Sequence, residues 1–291
     1  MPNDTVTLVA GGDFGPVIAP VDQYAELLPA AWWQADLRFA QCERSYSKRG
    51  AEPQFILGPP GGHTRLDPSM ASVWNAAKID VVSLASNHTM NWGPDALLDT
   101  CDLFRGMGKH VIGAGKDGTE ARKPAIVELN GVRIAFLAYC SVLRDGHAAG
   151  PGKVGIAPMR AHTYHLAEDF QPGTPPTVMS VPHDDDLVAL REDVSAAKKN
   201  ADAVVLSLHW GLRHVPKTIC TYQPPIAHAA IDAGAESYFG APRTCAKIGG
   251  SVQREGLLLQ HRQLYNQRLW RQQKKGIIRF DESVEFGFVS H

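Results

Sequence analysis

The sequence has no CxxC pair, and its five cysteines, Cys42, Cys101, Cys140, Cys220 and Cys245, are odd in number and far apart. That spacing excludes a zinc-finger or dithiol redox motif and argues against a disulfide framework, so a reducing cytoplasm is the expected setting. Charge of one sign is missing too: 29 basic residues against 30 acidic ones leave a net charge of -1. No global field draws the chain to nucleic acid or a membrane surface, and no nucleic-acid partner is expected. The opening residues, "MPNDTVTLVAGGDFGP", contain neither a basic stretch followed by an apolar core nor a run able to span a bilayer. The expectation is a cytoplasmic protein with no signal peptide or transmembrane segment. There is no repeat of solenoid period and no low-complexity tract. "GAGKDG" at 113–118 lacks the Walker spacing, no dinucleotide fingerprint occurs, and Ser83, Ser86 and Cys140 lie in no nucleophile elbow.

What is present is a chain of 291 residues, 44% hydrophobic, enough for one large core. "TVTLVAGGDF" reads as a buried strand that delivers Asp13 into a Gly-flanked turn. "DQYAELLPAAWWQA" has helical spacing, and "DLRFAQCE" reads as a strand ending at Glu43. "PSMASVWNAAKI" is helical, "DVVSLAS" is a strand, and "PDALLDTCDLFRGMG" is an amphipathic helix that Gly106 and Gly108 can terminate. "PAIVELNG" and "VRIAFLAYCS" form a hairpin about Asn130-Gly131. Residues 144–186, rich in Gly, Pro, His and Asp, read as a long irregular excursion. "DLVALREDVSAAKKNA" restores a helix, "DAVVLSLHWG" is the next strand, and "PPIAHAAIDAGAE" is a further helix. The alternation predicts a layered α/β domain with its site at strand ends.

Four strand ends carry metal-competent side chains: Asp13, Glu43, Asn87 with His88, and His209. Each has a plainer reading. Asp13 suits an Asx-turn, Glu43 a solvated edge carboxylate paired with Arg44, and His209 a core imidazole hydrogen-bonded to backbone. Asn87 and His88, closing an apolar strand, need partners for their buried polar atoms. Two carboxylates, an amide oxygen and an imidazole together suit a divalent ion such as manganese, iron or zinc. "PHDDDL" reads as a solvated, helix-capping acidic run.

"GGDFGP", "DLRFAQCERSYSKRG", "VVSLASNHTMNWGPDALLDT", "HVIGAGKDGTEARKPAIVELNGVRIAFLAY" and "VVLSLHWGLRH" occur in an order that resembles the CapA family, the capsule or poly-γ-glutamate biosynthesis proteins with a calcineurin-like metallophosphatase fold. The resemblance covers roughly residues 5–240. It implies a four-layer αββα sandwich and a metal-dependent, phosphoesterase-like hydrolase acting on a small-molecule or polymeric anionic substrate. The alternatives are a non-catalytic polymer-binding or assembly protein, or a small-molecule catabolic enzyme on the same scaffold. Position by position, it implies that Asp13, Glu43, Asn87 and His209 are metal ligands and that His88 stands beside the reacting group as the catalytic acid or an outer partner. Asn91 stands where an Asp is usual, and Gln41-Cys42 replaces Asn-Leu.

The resemblance stops at Gly240, after which the family's Gly-His-His-x-His motif is missing. Read one base later from Ala241, the degenerate code permits His-His-Ala-His directly after Gly240. The expectation is therefore a CapA-like domain over 1–240 and an aberrant, frame-shifted segment over 241–291.

Overall fold

The computed structural model describes residues 5–51, 65–212, 215, 218–241 and 277–280. Its elements run β1 (Thr5–Phe14), α1 (Ala30–Gln34), β2 (Leu37–Cys42), α2 (Ser72–Ala76), β3 (Val81–Ser83), α3 (Gly93–Gly106), β4 (His110–Ile112), β5 (Ala114–Gly115), α4 (Gly118–Ala121), β6 (Ala125–Leu129), β7 (Val132–Cys140) and β8 (Gly155–Ile156). They continue with β9 (Ala161–Leu166), β10 (Thr177–Pro182), α5 (Asp184–Asn200), β11 (Ala203–His209), α6 (Gln223–Asp232), β12 (Ser237–Ala241) and β13 (Ile277–Phe280).

Two sheets carry the longest apolar runs. One is parallel throughout, in the order β13-β1-β2-β3-β4. The other runs β12-β11-β7-β6, with only β6 antiparallel, joined to β7 by the expected hairpin in which Asn130 and Gly131 both have positive φ. Strands such as "AVVLSLH" read as unbroken apolar runs because both of their faces are covered.

The residues of β7 show how the layers stack. Ile134, Phe136 and Ala138 point into the core shared with the first sheet, while Ala135, Leu137 and Tyr139 join Leu190, Val194 and Ala197 of α5 and Ile226 and Ala230 of α6. Between the sheets, the ring of Phe39 on β2 stacks on Phe136 at 6.4 Å and meets Phe239 of β12 at 5.5 Å. Beyond the first sheet, Trp74 of α2 and Phe104 of α3 close a fourth layer against Phe14 and Tyr46. The αββα arrangement expected from the sequence is the one observed.

The helix predicted from "DQYAELLPAAWWQA" divides into a 3-10 turn, Asp22–Leu27, and α1. Leu28 precedes Pro29 and is extended (φ -69, ψ 137), as the proline ring demands of its predecessor. Within 144–186, β9 and β10 pair as an antiparallel ribbon with most of its residues exposed. With no buried face, its sequence carries no apolar alternation to announce it.

The acidic run does cap α5, with Asp184, Asp185 and Asp186 in the first turn and Lys198 and Lys199 in the last, as the helix dipole favours. Asp186 is not solvated, however. Its side chain is 6% exposed and accepts from the Arg160 backbone at 2.8 Å and from two guanidinium nitrogens at 2.7 Å. Burial would raise this carboxyl, but the Arg160 bonds and charge hold it below the ordinary aspartate value of 3.8. Asp186→Asn is expected to lose about 1–3 kcal/mol at neutral pH, because the guanidinium keeps only a neutral acceptor. A depressed carboxylate stabilises above its unfolded pKa and ceases to as pH falls through the folded one, so the difference should be full at pH 7 and close only below 3.8. Urea midpoints of both proteins across that range check it.

Candidate metal centre

The expected ligands lie at the carboxyl ends of strands from both sheets. In β2, Leu37, Phe39 and Gln41 alternate toward the second sheet, as the Phe39 ring contacts and the 3.4 Å bond from Ser207 Oγ to Gln41 Oε1 show. Glu43 follows just past the strand. In β11, Val205 and Ser207 share that inward face, and His209 ends it.

Asp13 reaches the same face through an irregularity. Gly11 pairs with Ala40 and Asp13 with Gln41, so Gly12 is an extra residue in the ladder. Strict alternation from Leu8 and Ala10 would turn Gly12 inward and Asp13 outward. The bulge reverses this, placing Asp13 with inward Gln41 and Phe14 with outward Cys42, where its ring meets Trp74 at 5.1 Å.

Asn87 and His88 sit in the loop after β3. Gln41 Nε2 donates to Ser83 O and Ala85 O, Thr89 Oγ1 donates to Leu84 O at 2.8 Å, and Ser45 Oγ donates to Thr89 O at 2.8 Å. These bonds fix the loop on itself and against β2 and the segment that follows it. Asn87 and His88 are 3% and 5% exposed.

Ligand atoms of Asp13, Glu43 and His209 all lie within 4.8 Å of one another. His209 Nε2 is 3.0 Å from Glu43 Oε1 and 2.9 Å from Asn87 Oδ1, and its Nδ1 is 4.0 Å from Asp13 Oδ1. His88 approaches through Asn87, whose Nδ2 lies 2.9 Å from His88 Nε2. All five predicted residues are thus brought together.

Burial pushes the Asp13 carboxyl up to about 7, and the neighbouring Glu43 adds to the rise against the charges of His209 and Arg44. Burial acts on Glu43 as well, but its hydrogen bond with His209 and the charges of His209, His88 and Arg44 outweigh it and hold Glu43 below the usual range. Asp13 Oδ1 is fully covered and has no hydrogen-bond partner among the described residues. A buried acceptor without a donor, beside a second carboxylate, an amide oxygen and an imidazole, fits a divalent cation. Burial lifts the Cys42 thiol to about 12 and raises Cys140 as well, so neither offers a thiolate.

The sequence model of the bacterial capsule synthesis protein PGA_cap matches residues 12–242. The chain belongs to this family. Among curated PGA_cap-like relatives, the PGA biosynthesis protein CapA of Bacillus subtilis is 27% identical over 179 residues, which is 61% of this chain and 40% of that protein. The capsule biosynthesis protein CapA of Bacillus anthracis is 29% identical over 164 residues, 56% of this chain and 34% of its own. A protein of Mycobacterium tuberculosis, described as a probable polyglutamine synthesis accessory protein, is 28% identical over 180 residues, 60% of this chain and 42% of its own. The chain thus spans well under half the length of these relatives. A solved structure provisionally described as a 5'-nucleotidase from Staphylococcus aureus overlaps 95% of this chain and 48% of its own at 11% identity with a TM-score of 0.43, a likeness too loose to carry an inference.

Two residues that sequence reading set aside belong to the site's frame. Ser86, considered only as a nucleophile, accepts from the His88 backbone at 3.2 Å and lies 3.4 Å from Glu43 Oε1. Gln41, noted only as a substitution, ties the two sheets beneath the ligands. No spacing signal marks either, because both act through contacts made by other strands.

Proposed function

We propose that this PGA_cap member is a metal-dependent hydrolase with a metallophosphatase-like site, acting on a small-molecule or polymeric anionic substrate. The convergence of Asp13, Glu43 and His209 within 4.8 Å carries this reading. Asp13, Glu43, Asn87 and His209 would hold a manganese, iron or zinc ion, which would activate water and polarise a phosphoryl or carbonyl oxygen. Arg44, whose charge already acts on both carboxylates, would draw an anionic group toward the centre. His88 would stand beside the reacting group to move a proton. The purified chain is expected to bind Mn2+ and to hydrolyse a generic phosphodiester or an amide of glutamate, with activity abolished by EDTA and restored by metal. No turnover with any of the three metals would sink the enzymatic reading.

A second reading, a non-catalytic holder of a polyanionic polymer or assembly partner, is favoured by the names of the relatives, which speak of biosynthesis and of a synthesis accessory protein. Tight polymer binding that ignores EDTA would select it.

We also propose that residues 241–291 are read out of frame. Apart from Ala241 and the strand 277–280, this segment lies outside the described residues. Resequencing codons 230–291 decides it: an inserted or lost base near codon 240 restores the histidines, and an unchanged reading frame removes the proposal.

A further inference from the structure

The loop 141–157 leaves β7 and returns to it at a single residue. Cys140 N–H donates to Ala157 O at 3.0 Å and Met159 N–H donates to Cys140 O at 2.9 Å, so both ends of the loop are pinned there. Cys140 is in register with His209, and the neighbouring Ser141 N–H donates to His209 O at 2.9 Å. Burial chiefly raises the Cys140 thiol, and the charges of Glu43 and Asp13 add to the rise. The loop is therefore rooted at the candidate metal centre. Arg144 comes three residues after Ser141, which keeps its Cα within about 11 Å of that root. Closed loops of this kind frequently carry function.

Its backbone is fixed by its own bonds. His147 N–H donates to Arg144 O at 3.1 Å, Ile156 N–H to His147 O at 2.9 Å, Ala149 N–H to Ile156 O at 2.9 Å and Lys153 N–H to Gly150 O at 3.1 Å. Gly155 permits this close fold, since a Cβ there would lie 2.5 Å from His147 O. The effect is to gather Arg144, His147 and Lys153. Burial lowers the pKa of the His147 ring, and the charges of Arg144 and Lys153 lower it further. Asp145, the one acidic residue of the loop, is exposed. Gathering like charges costs energy, and no carboxylate offsets it here. Arg122, Arg133 and Arg160 each hold an aspartate, whereas Arg144 forms no ion pair among the described residues. His147 Nδ1 is buried and has no hydrogen-bond partner among the described residues. A covered ring nitrogen flanked by two cations suits an anionic oxygen.

We infer that Arg144, His147 and Lys153 form an anion subsite beside the metal centre, which takes a second carboxylate or phosphate of the substrate while a first lies at the metal. The substrate class is then an oligoanion with charges on successive units. Arg44, next to Glu43, serves the group at the centre, and the loop serves the one beyond it. The role in turnover rests on the proposed metal-dependent reading, but binding of an oligoanion to the loop does not.

The test is calorimetric titration of the whole, chelator-treated chain with two probes, a glutamate hexamer and inorganic triphosphate. Binding of at least one is expected, and the tighter of the two names the anion as carboxylate or phosphate. Arg144→Ala should weaken that binding by about 10-fold or more, the effect of losing a hydrogen bond between charged groups. Arg144→Lys keeps the charge without the planar fork and should lose less. Arg191→Ala removes the same charge from an exposed position on α5 and should change nothing. Equal affinity in the wild type and Arg144→Ala overturns the inference, as does an equal loss in Arg191→Ala or a failure of both probes to bind. If Arg144→Ala does not fold, Lys153→Ala, at an exposed position, decides the outcome with an expected loss of about 3-fold. Because the probes are titrated without metal, failure of the metal centre would show separately, as a chain that binds the oligoanion through Arg144 but takes up no Mn2+.

Discussion

Asp13→Asn is expected to lose Mn2+ binding by more than about 100-fold, beyond the 10–100-fold that loss of an outer partner costs, while making the metal-free protein more stable. The opposite signs share one cause. Asp13 and Glu43 are two carboxylates brought together in a covered site, and burial together with Glu43 raises Asp13 to about 7. A raised carboxyl pKa means that the folded state holds a proton the unfolded state gives up. The contribution of Asp13 to stability therefore falls as pH rises from 3.8, its unfolded value, to about 7. Asparagine carries no such penalty, so chelator-treated Asp13→Asn should match the wild type near pH 4 and exceed it at pH 8. Metal narrows the difference, since an ion at 100 times its Kd adds about 2.7 kcal/mol to the wild type alone. Thermal melts with EDTA and with Mn2+, at both pH values, read all four cases. A wild type whose melting temperature ignores Mn2+ would remove the metal centre.

Trp74→Ala should produce the largest loss of stability. Trp74 is fully buried, its Nε1 donates to Tyr46 Oη at 3.0 Å, and it meets Phe14 and Phe104 edge-on at 5.1 and 4.9 Å. Truncation opens a cavity between the first sheet and its helices and removes the hydrogen bond to Tyr46. The expected cost is about 3–5 kcal/mol. In a domain of this size that corresponds to a fall of roughly 6–20 °C in Tm. Trp74→Phe retains edge-on ring packing and should lose less. A change below about 1 kcal/mol in urea unfolding would mean that this layer is not packed as described.

Much of the architecture was legible before any coordinates. Apolar runs such as "AVVLSLH" require cover on both faces, Asn130-Gly131 requires a hairpin, and the spacing of Ala96, Leu97, Thr100, Cys101 and Phe104 requires a helix with one buried face. These are local demands, set by side-chain period and backbone sterics, so the sequence by itself determined the alternation of strands and helices. It also determined that polar, metal-competent residues end or follow four of the strands. Where local demand is weak, the reading was poorer: the exposed β9–β10 ribbon has no buried face to impose a period.

The site was decided by tertiary structure. Asp13 and His209 are 196 positions apart in the sequence, and only the stacking of two sheets brings their atoms to 4.0 Å. Alternation read from Leu8 and Ala10 turns Asp13 away from that stack, and it is the extra Gly12 that turns it inward. The buried amide of Asn87 finds its partners in adjacent His88 and in His209, 122 positions away. Hydrogen-bond polarity passes between neighbours in space, whatever their distance along the chain, so only the folded arrangement could fix it.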